Sequence, residues 1–327
     1  ADSGDTANIQ RLTLSGAGVV SHTGSMSIDE LALQGTADYT FDNAGNEISL
    51  LSAGGTSSIG ALTVVNDSEL VIGTTGAGSD QSQSGVNASG DVSLTTSDAN
   101  IVFDSAMSTS SANTQAANGS EALSVDVGSG EIQLNAGLTS AGDLSLNGAM
   151  KVQIANVDLE ATEGVLSLNG AVDSAEGTQT LKLISNQSVT QTDAITIEEL
   201  VLEGSGDFTL DHAGNAVDVV AAGDTDSRIG ALTLVNSQAL EIGTAGAVEA
   251  IEGTPAIEGV KGIHADGDLD IKTLVDGITV TQAVDTSSGT ASALVLNAGS
   301  DHVNEGAFVE GNNTLGSGDN VIVTGDG

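Results

Sequence analysis

Residues 59 to 77, IGALTVVNDSELVIGTTGA, return as residues 229 to 247, IGALTLVNSQALEIGTAGA, with 13 of 19 positions identical. Self-similarity on this scale restricts the chain to architectures that accept the same unit twice, and a repeat unit buries its apolar face against its neighbours. The match extends upstream, where LALQGTADYTFDNAGN at 31 to 46 agrees with LVLEGSGDFTLDHAGN at 200 to 215 at 9 of 16 positions. Leu12, Leu14, Val20, Thr23 and Ile28 fall on Leu181, Leu183, Val189, Thr192 and Ile197. Downstream, GVNASGDVSL at 85 to 94 corresponds to GIHADGDLDI at 262 to 271. The offset starts at 169, becomes 170, and then grows where a near-duplicated AIEGTPAIEG lengthens the second copy. Two homologous modules are expected, over residues 1–179 and 180–327.

Inside each module the apolar residues alternate. Leu12-Thr13-Leu14, Leu31-Ala32-Leu33, Ile48-Ser49-Leu50, Leu62-Thr63-Val64 and Val92-Ser93-Leu94 are followed by Val152-Gln153-Ile154, Phe208-Thr209-Leu210, Val217-Asp218-Val219 and Leu269-Asp270-Ile271. A period of two is the signature of strands with one buried face. Between them lie Gly, Asn, Asp and Ser clusters such as Asn43-Ala44-Gly45-Asn46 and Gly54-Gly55, which supply turn conformations at low steric cost. No segment carries a 3.6-residue period. Smaller echoes, GDVSL at 90, GDLSL at 142 and GDLDI at 267, show repetition nested within the larger unit.

Short strands suit a β-sandwich or a β-solenoid, and core chemistry separates them. Sandwich strands run about 5 to 6 residues and pack bulky side chains between two sheets. Here aromatic residues are 2% of the chain, namely Tyr39, Phe41, Phe103, Phe208 and Phe308. A thin aliphatic core, built by stacking small side chains along an axis, fits better. The expected fold is all-β, a right-handed parallel β-helix forming an elongated rod. Turns of roughly 20 to 25 residues would give about 13 to 16 of them, and a rod of roughly 60 to 80 Å at ~4.8 Å per turn.

The stretch IGALTVVN…LVIGT…GVNASGDVSLTT, with its second copy, resembles the repeat region of filamentous-haemagglutinin-like exoproteins, large bacterial surface adhesins built on right-handed β-helices. The resemblance covers nearly the whole chain. It rests on strand triplets, Gly-Asp turns and Gly, Asn and Thr enrichment together. The family's secretion module is unmatched, since the chain contains no Asn-Pro dipeptide, and the likeness implies an internal stalk segment. With Ala at position 1, the sequence reads as a processed or excised piece.

Charge narrows the function. Asp and Glu number 45 against 6 Lys and Arg, a formal net charge of −39. Six scattered cations cannot neutralise a phosphate backbone, so nucleic acid is not an expected partner. An anionic membrane surface repels the chain, and no apolar run of 18 residues offers a span. With no Cys, disulfides and thiolate metal sites are excluded.

Four candidate sites stand against bland readings. Asp224-Thr225-Asp226-Ser227-Arg228 puts two acids beside an arginine, as polysaccharide cleavage would want, but a solvated turn is the stronger expectation. Asp266-Gly267-Asp268-Leu269-Asp270 spaces acids like the start of a calcium loop, yet Ile271 stands where that loop needs Gly. GSGDNVIV at 316 to 323 distantly resembles glycine-rich calcium repeats. His22, His212, His264 and His302 read as exposed turn residues, and Asn66, Asn87, Asn118, Asn186 and Asn312 head glycosylation-type tripeptides that arise by composition. No catalytic, cofactor or metal residue is therefore assigned, with calcium as a possible exception.

The sequence thus reads as an extracellular or cell-surface structural and adhesive segment, a stalk or filament-forming rod without an active site. Its expected partners are neighbouring copies or repeats, end to end, and a surface receptor or polysaccharide. The alternative is a carbohydrate-binding or carbohydrate-cleaving β-helix, with its groove near the loops that differ between copies, 78 to 84 and 248 to 261. Self-repulsion at this charge predicts a melting temperature that rises with ionic strength. Calcium should exceed an ionic-strength-matched sodium salt only if carboxylates converge, which thermal melts in the two salts and in chelator will read out.

Overall fold

The computed structural model describes residues 9–110, 121–175, 179–248, 256–286, 293–299, 303–304 and 320–325. Among these there are strands and turns and no helix, and the parallel strands stack as a β-solenoid of about 12 turns. Two compact units are present, Ala1–Ala149 and Met150–Gly327. Phe308, His302, Asn118 to Ser120, Asn312 to Thr314 and Gly316 to Asp319 lie outside the described residues.

In the first unit Leu12 pairs with Leu31 and Leu31 with Leu51, while Tyr39, Leu62, Val92 and Leu123 form a second row. In the second unit the rows run Leu181, Leu200, Val220 and Phe208, Leu232, Leu269, Leu294. Parallel pairing in register sets like on like, so every turn continues the aliphatic ladder of the last. Turn length is far from constant. It is 19 residues from Ile9 to Ile28, 31 from Ile101 to Ile132, and 37 from Leu232 to Leu269. These long turns explain why about 12 replace the 13 to 16 expected from uniform ones.

The alternation holds in detail. Leu62, Val64, Leu232 and Leu234 are buried, with Thr63 and Thr233 partly exposed between them. Each such aliphatic side chain contributes about 1.5–3 kcal/mol by leaving water. The phase slips by one residue in the strands Glu47–Ala53 and Ala216–Ala222, so that Leu51 and Val220 are buried while Leu50 and Val219 are only partly so. Ile154 departs from the expected triplet altogether. The strand Leu144–Val152 ends before it, and Ile154 is 38% exposed.

Tyr39, Phe41, Phe103 and Phe208 are all fully buried, with the Tyr39 and Phe41 rings stacked at 6.2 Å. Tyr39 hydroxyl donates to the Gln34 carbonyl at 2.6 Å, and burial pushes the phenol above its ordinary pKa. A raised folded pKa leaves this contribution intact below the unfolded value near 10 and removes it as pH climbs through the folded one. Tyr39→Phe is accordingly expected to cost about 1 kcal/mol at neutral pH and to flatten the alkaline loss of stability. Urea midpoints at pH 7 and above pH 10 check both.

The turn residues carry more structure than flexibility. Asn46 and Asn66 in the first unit, and Asn215 and Asn236 in the second, are 0–1% exposed and form an internal corner ladder. Asn46 amide donates to the Phe41 and Val65 carbonyls and accepts from the Met26 N–H. Asn215 repeats this on Leu210, Val235 and Ile195. The Gly-Asp turns bond one solenoid turn to the next: Asp38, Asp91 and Asp207 carboxylates accept the N–H of Ala61, Ala122 and Ala231 at 2.8–2.9 Å. Gly60 and Gly230 make this possible, because a Cβ on either would collide with the Asp38 or Asp207 carboxylate.

Candidate functional site

The chain leaves the solenoid at equivalent points of both copies and returns as an antiparallel hairpin against the outer face. In the first unit Thr74–Thr75 pairs with Gln83–Ser84, Thr75 facing Gln83. In the second Thr244–Val248 pairs with Ile257–Lys261, Ala245 facing Val260. A glutamate from the preceding strand pins each hairpin. Glu30 Oε2 accepts the Gly76 N–H at 2.9 Å, and Glu199 Oε2 accepts that of Gly246 at 2.7 Å.

The hairpins bury strands on both faces, which corrects the reading of Leu31-Ala32-Leu33 as a strand with one buried face, since all three residues are buried. Beneath the second hairpin Val201, Ala221 and Ala245 form a closed apolar cluster, with Val219 and Val260 packed on it. The first copy carries Ala32, Ser52, Thr75 and Gln83 at the positions of Val201, Ala221, Ala245 and Val260. There Ser52 and Thr75 hydroxyls share a hydrogen bond at 2.7 Å. Gln83 is 5% exposed; its Nε2 donates to the Leu33 carbonyl at 3.0 Å, and its Oε1 is buried without a hydrogen-bond partner.

Beside this first hairpin lies a cavity of about 430 Å³, lined by the polar side chains of Gln34, Thr56, Ser57, Asp80, Gln81 and Gln83, by Ser15 and Ser82, and by Gly35, Gly54 and Gly55. Arg11 holds its rim in place, donating from Nη2 to the Gln81 carbonyl at 2.8 Å, with Nε 3.8 Å from Glu30.

Arg228 organises a second polar cluster, in the second unit. Its Nε donates to Asp266 Oδ1 at 2.9 Å and its Nη1 to Asp285 Oδ2 at 3.0 Å, while Nη2 reaches the carbonyls of Ala265 and Asp285. The expected solvated turn at 224 to 228 is therefore half right. Asp224 Oδ1 accepts the N–H groups of Asp226 and Ser227 as a polar turn should, but the Arg228 side chain is only 13% exposed and braces residues one and two turns away. His264 is likewise not the exposed turn residue the sequence implied. Its side chain is 12% exposed, with Nδ1 unbonded and 3.8 Å from Asp285. At the four matching positions the first copy has Ser58, Asn87, Ser89 and Ser108, where Ser58 donates to Asn87 Oδ1 at 2.9 Å.

Since Arg228 serves two carboxylates and two carbonyls, Arg228→Ala is expected to cost about 2–3 kcal/mol, against less than about 1 for Ser58→Ala. Hydrogen exchange at residues 263 to 265 measures the difference locally.

The remaining candidates stay apart. His22 is exposed, and His212 Nδ1 accepts its neighbour Gly214 N–H at 3.1 Å. Asp268 and Asp270 are exposed, Asp270 on the outer face between Thr233 and Val295, and Asp266 is committed to Arg228. Among the described residues no three His, Asp or Glu side chains come together as a metal site. Asn66 is buried and its amide donates to the Ile48 and Ser68 carbonyls, so the folded chain does not offer it for glycosylation. No helix among the described residues is long and apolar enough to cross a membrane. No family model, curated protein or solved structure matches the chain.

Proposed function

We propose that this chain is an extracellular structural and adhesive repeat segment of a large bacterial surface or secreted protein, a stalk or filament-forming rod without an active site. The observation that carries the reading is the division between what the two copies keep and what they change. They keep the internal frame: Asn46 and Asn66 recur as Asn215 and Asn236, Asp38 as Asp207, Glu30 as Glu199, each in the same hydrogen bonds. They change the outward groups, as in Ser58 against Arg228 and Gln83 against Val260. A duplicated frame with variable outer decoration extends and presents; the likeness to filamentous-haemagglutinin-like exoproteins supports the same role.

The cleaving alternative needs two carboxylates free to act on a sugar bond. At the sequence's best candidate they are engaged, Asp224 on backbone N–H groups and Asp266 and Asp285 on Arg228. Antibodies raised against the chain should label intact, unpermeabilised cells that make it. Labelling confined to permeabilised cells, or depolymerisation of polysaccharides by the purified chain, would overturn the reading.

A further inference from the structure

We propose that the cavity beside the first hairpin binds a neutral carbohydrate unit of one or two sugar residues. The inference does not rest on the stalk reading, because it concerns one cavity in one copy. Three observations carry it.

The first is an unmet hydrogen bond. Gln83 is nine-tenths buried and its Oε1 has no partner, whereas its Nε2 is satisfied by Leu33. A buried acceptor left unpaired costs about 1–3 kcal/mol. Gly55 faces this oxygen from the cavity wall: a Cβ there would stand 3.2 Å from Gln83 Oε1, and the glycine takes a φ of +79° that other residues rarely adopt. The wall is therefore backbone-thin where the unpaired acceptor sits, and a small shift of the amide brings a ligand hydroxyl within its reach.

The second is that the fold does not require this polarity. The same hairpin, pinned by the same glutamate, closes in the second copy over Val201, Ala221, Ala245 and Val260. There Asp224 replaces Gly55 and its carboxylate is spent on the local turn. Apolar residues at these places seal the hairpin, so the polar set of the first copy is an addition to the frame.

The third is ligand chemistry. A volume of about 430 Å³ falls within the usual range of small-ligand sites, about 300–1,000 Å³. Its lining offers amides and hydroxyls, which both donate and accept, as a ring of sugar hydroxyls demands. Asp80 is the one ionised side chain in the wall, and no cation is present there. That charge, within a chain of net charge −39, turns away phosphate, uronate and sialate groups. With no aromatic ring in the lining, recognition runs through hydroxyl edges, and weak binding with Kd of order 1 mM is expected per site.

The full 327-residue chain should be tested on an array of neutral, amino and acidic glycans, followed by saturation-transfer NMR with the neutral sugars retained. Neutral glycans are expected to bind, and binding should fall at least tenfold in Gln83→Val, which installs the residue the second copy carries, and in Asp80→Ala, an exposed loop change that spares the frame. Arg228→Ala, in the other unit, should leave binding unchanged. Retention of acidic glycans alone, retention of no glycan, or neutral binding that survives both cavity substitutions would overturn the proposal. Should Gln83→Val fail to fold, Asp80→Ala alone decides. Surface labelling of cells is unaffected by any of these results.

Discussion

Leu94→Asp should melt the turns around it. Leu94 is fully buried, with Val64 on one side and Val125 on the other in the same inward row. A carboxylate placed there meets only aliphatic neighbours, and burial without a partner puts the cost at about 4–5 kcal/mol or more. In a stacked array each turn is held by its neighbours, so the loss spreads to adjacent turns before it is felt elsewhere. Hydrogen exchange should therefore accelerate across Leu62–Asn66 and Val92–Thr96. Ser93→Asp is the control. Ser93 points outward between Thr63 and Ser124, and its replacement should change stability by less than about 1 kcal/mol. Comparable exchange in the two variants would contradict the alternation of inward and outward residues on which the fold rests.

That alternation was legible because it is local: Val92-Ser93-Leu94 states its own geometry in three residues. What was not legible depends on turn length. Arg228, Ala265 and Asp285 are far apart in the chain and become neighbours only because turns of 36 and 21 residues carry the strands back into register. Turn lengths that vary between 19 and about 38 residues hide such pairs from any fixed period. The corner asparagines were read as turn residues because Asn46 follows Ala44-Gly45, yet an amide is also the one uncharged group that satisfies a backbone N–H and two carbonyls at a buried bend. Identity at Asn46 and Asn215, amid changes at Tyr39, Phe41 and Asn43, was the available signal. Likewise Leu200-Val201-Leu202 and Val219-Val220-Ala221-Ala222 are unbroken apolar runs, which mark strands covered on both faces. They pointed to a covering element, and the loops at 78 to 84 and 248 to 261 were noted only as places where the copies differ.

Asn236→Leu is expected to give the other large loss, about 3 kcal/mol, although Leu is close to Asn in size and more apolar. Asn236 is fully buried; its Oδ1 accepts the Val217 N–H at 2.9 Å, and its Nδ2 donates to the Val217 and Gln238 carbonyls at 3.0 and 3.1 Å. Leucine fills the space and leaves those backbone groups unpaired at a corner, each at a cost of about 1–3 kcal/mol that the added apolar surface only partly offsets. Asn236→Asp separates shape from chemistry. An ionised carboxylate keeps the acceptor for Val217 but turns a charge toward two carbonyls, so at pH 7 this variant should be at least as unstable as Asn236→Leu. Burial raises the pKa of the introduced acid, and once protonated it regains a donor. Its deficit relative to the parent chain should therefore shrink as pH falls through that raised value, whereas the deficit of Asn236→Leu should not change with pH. Denaturant midpoints of the three proteins between pH 4 and 8, with hydrogen exchange at Val217, test this directly. An Asn236→Leu chain as stable as the parent would mean that the corner ladder contributes nothing to holding successive turns together.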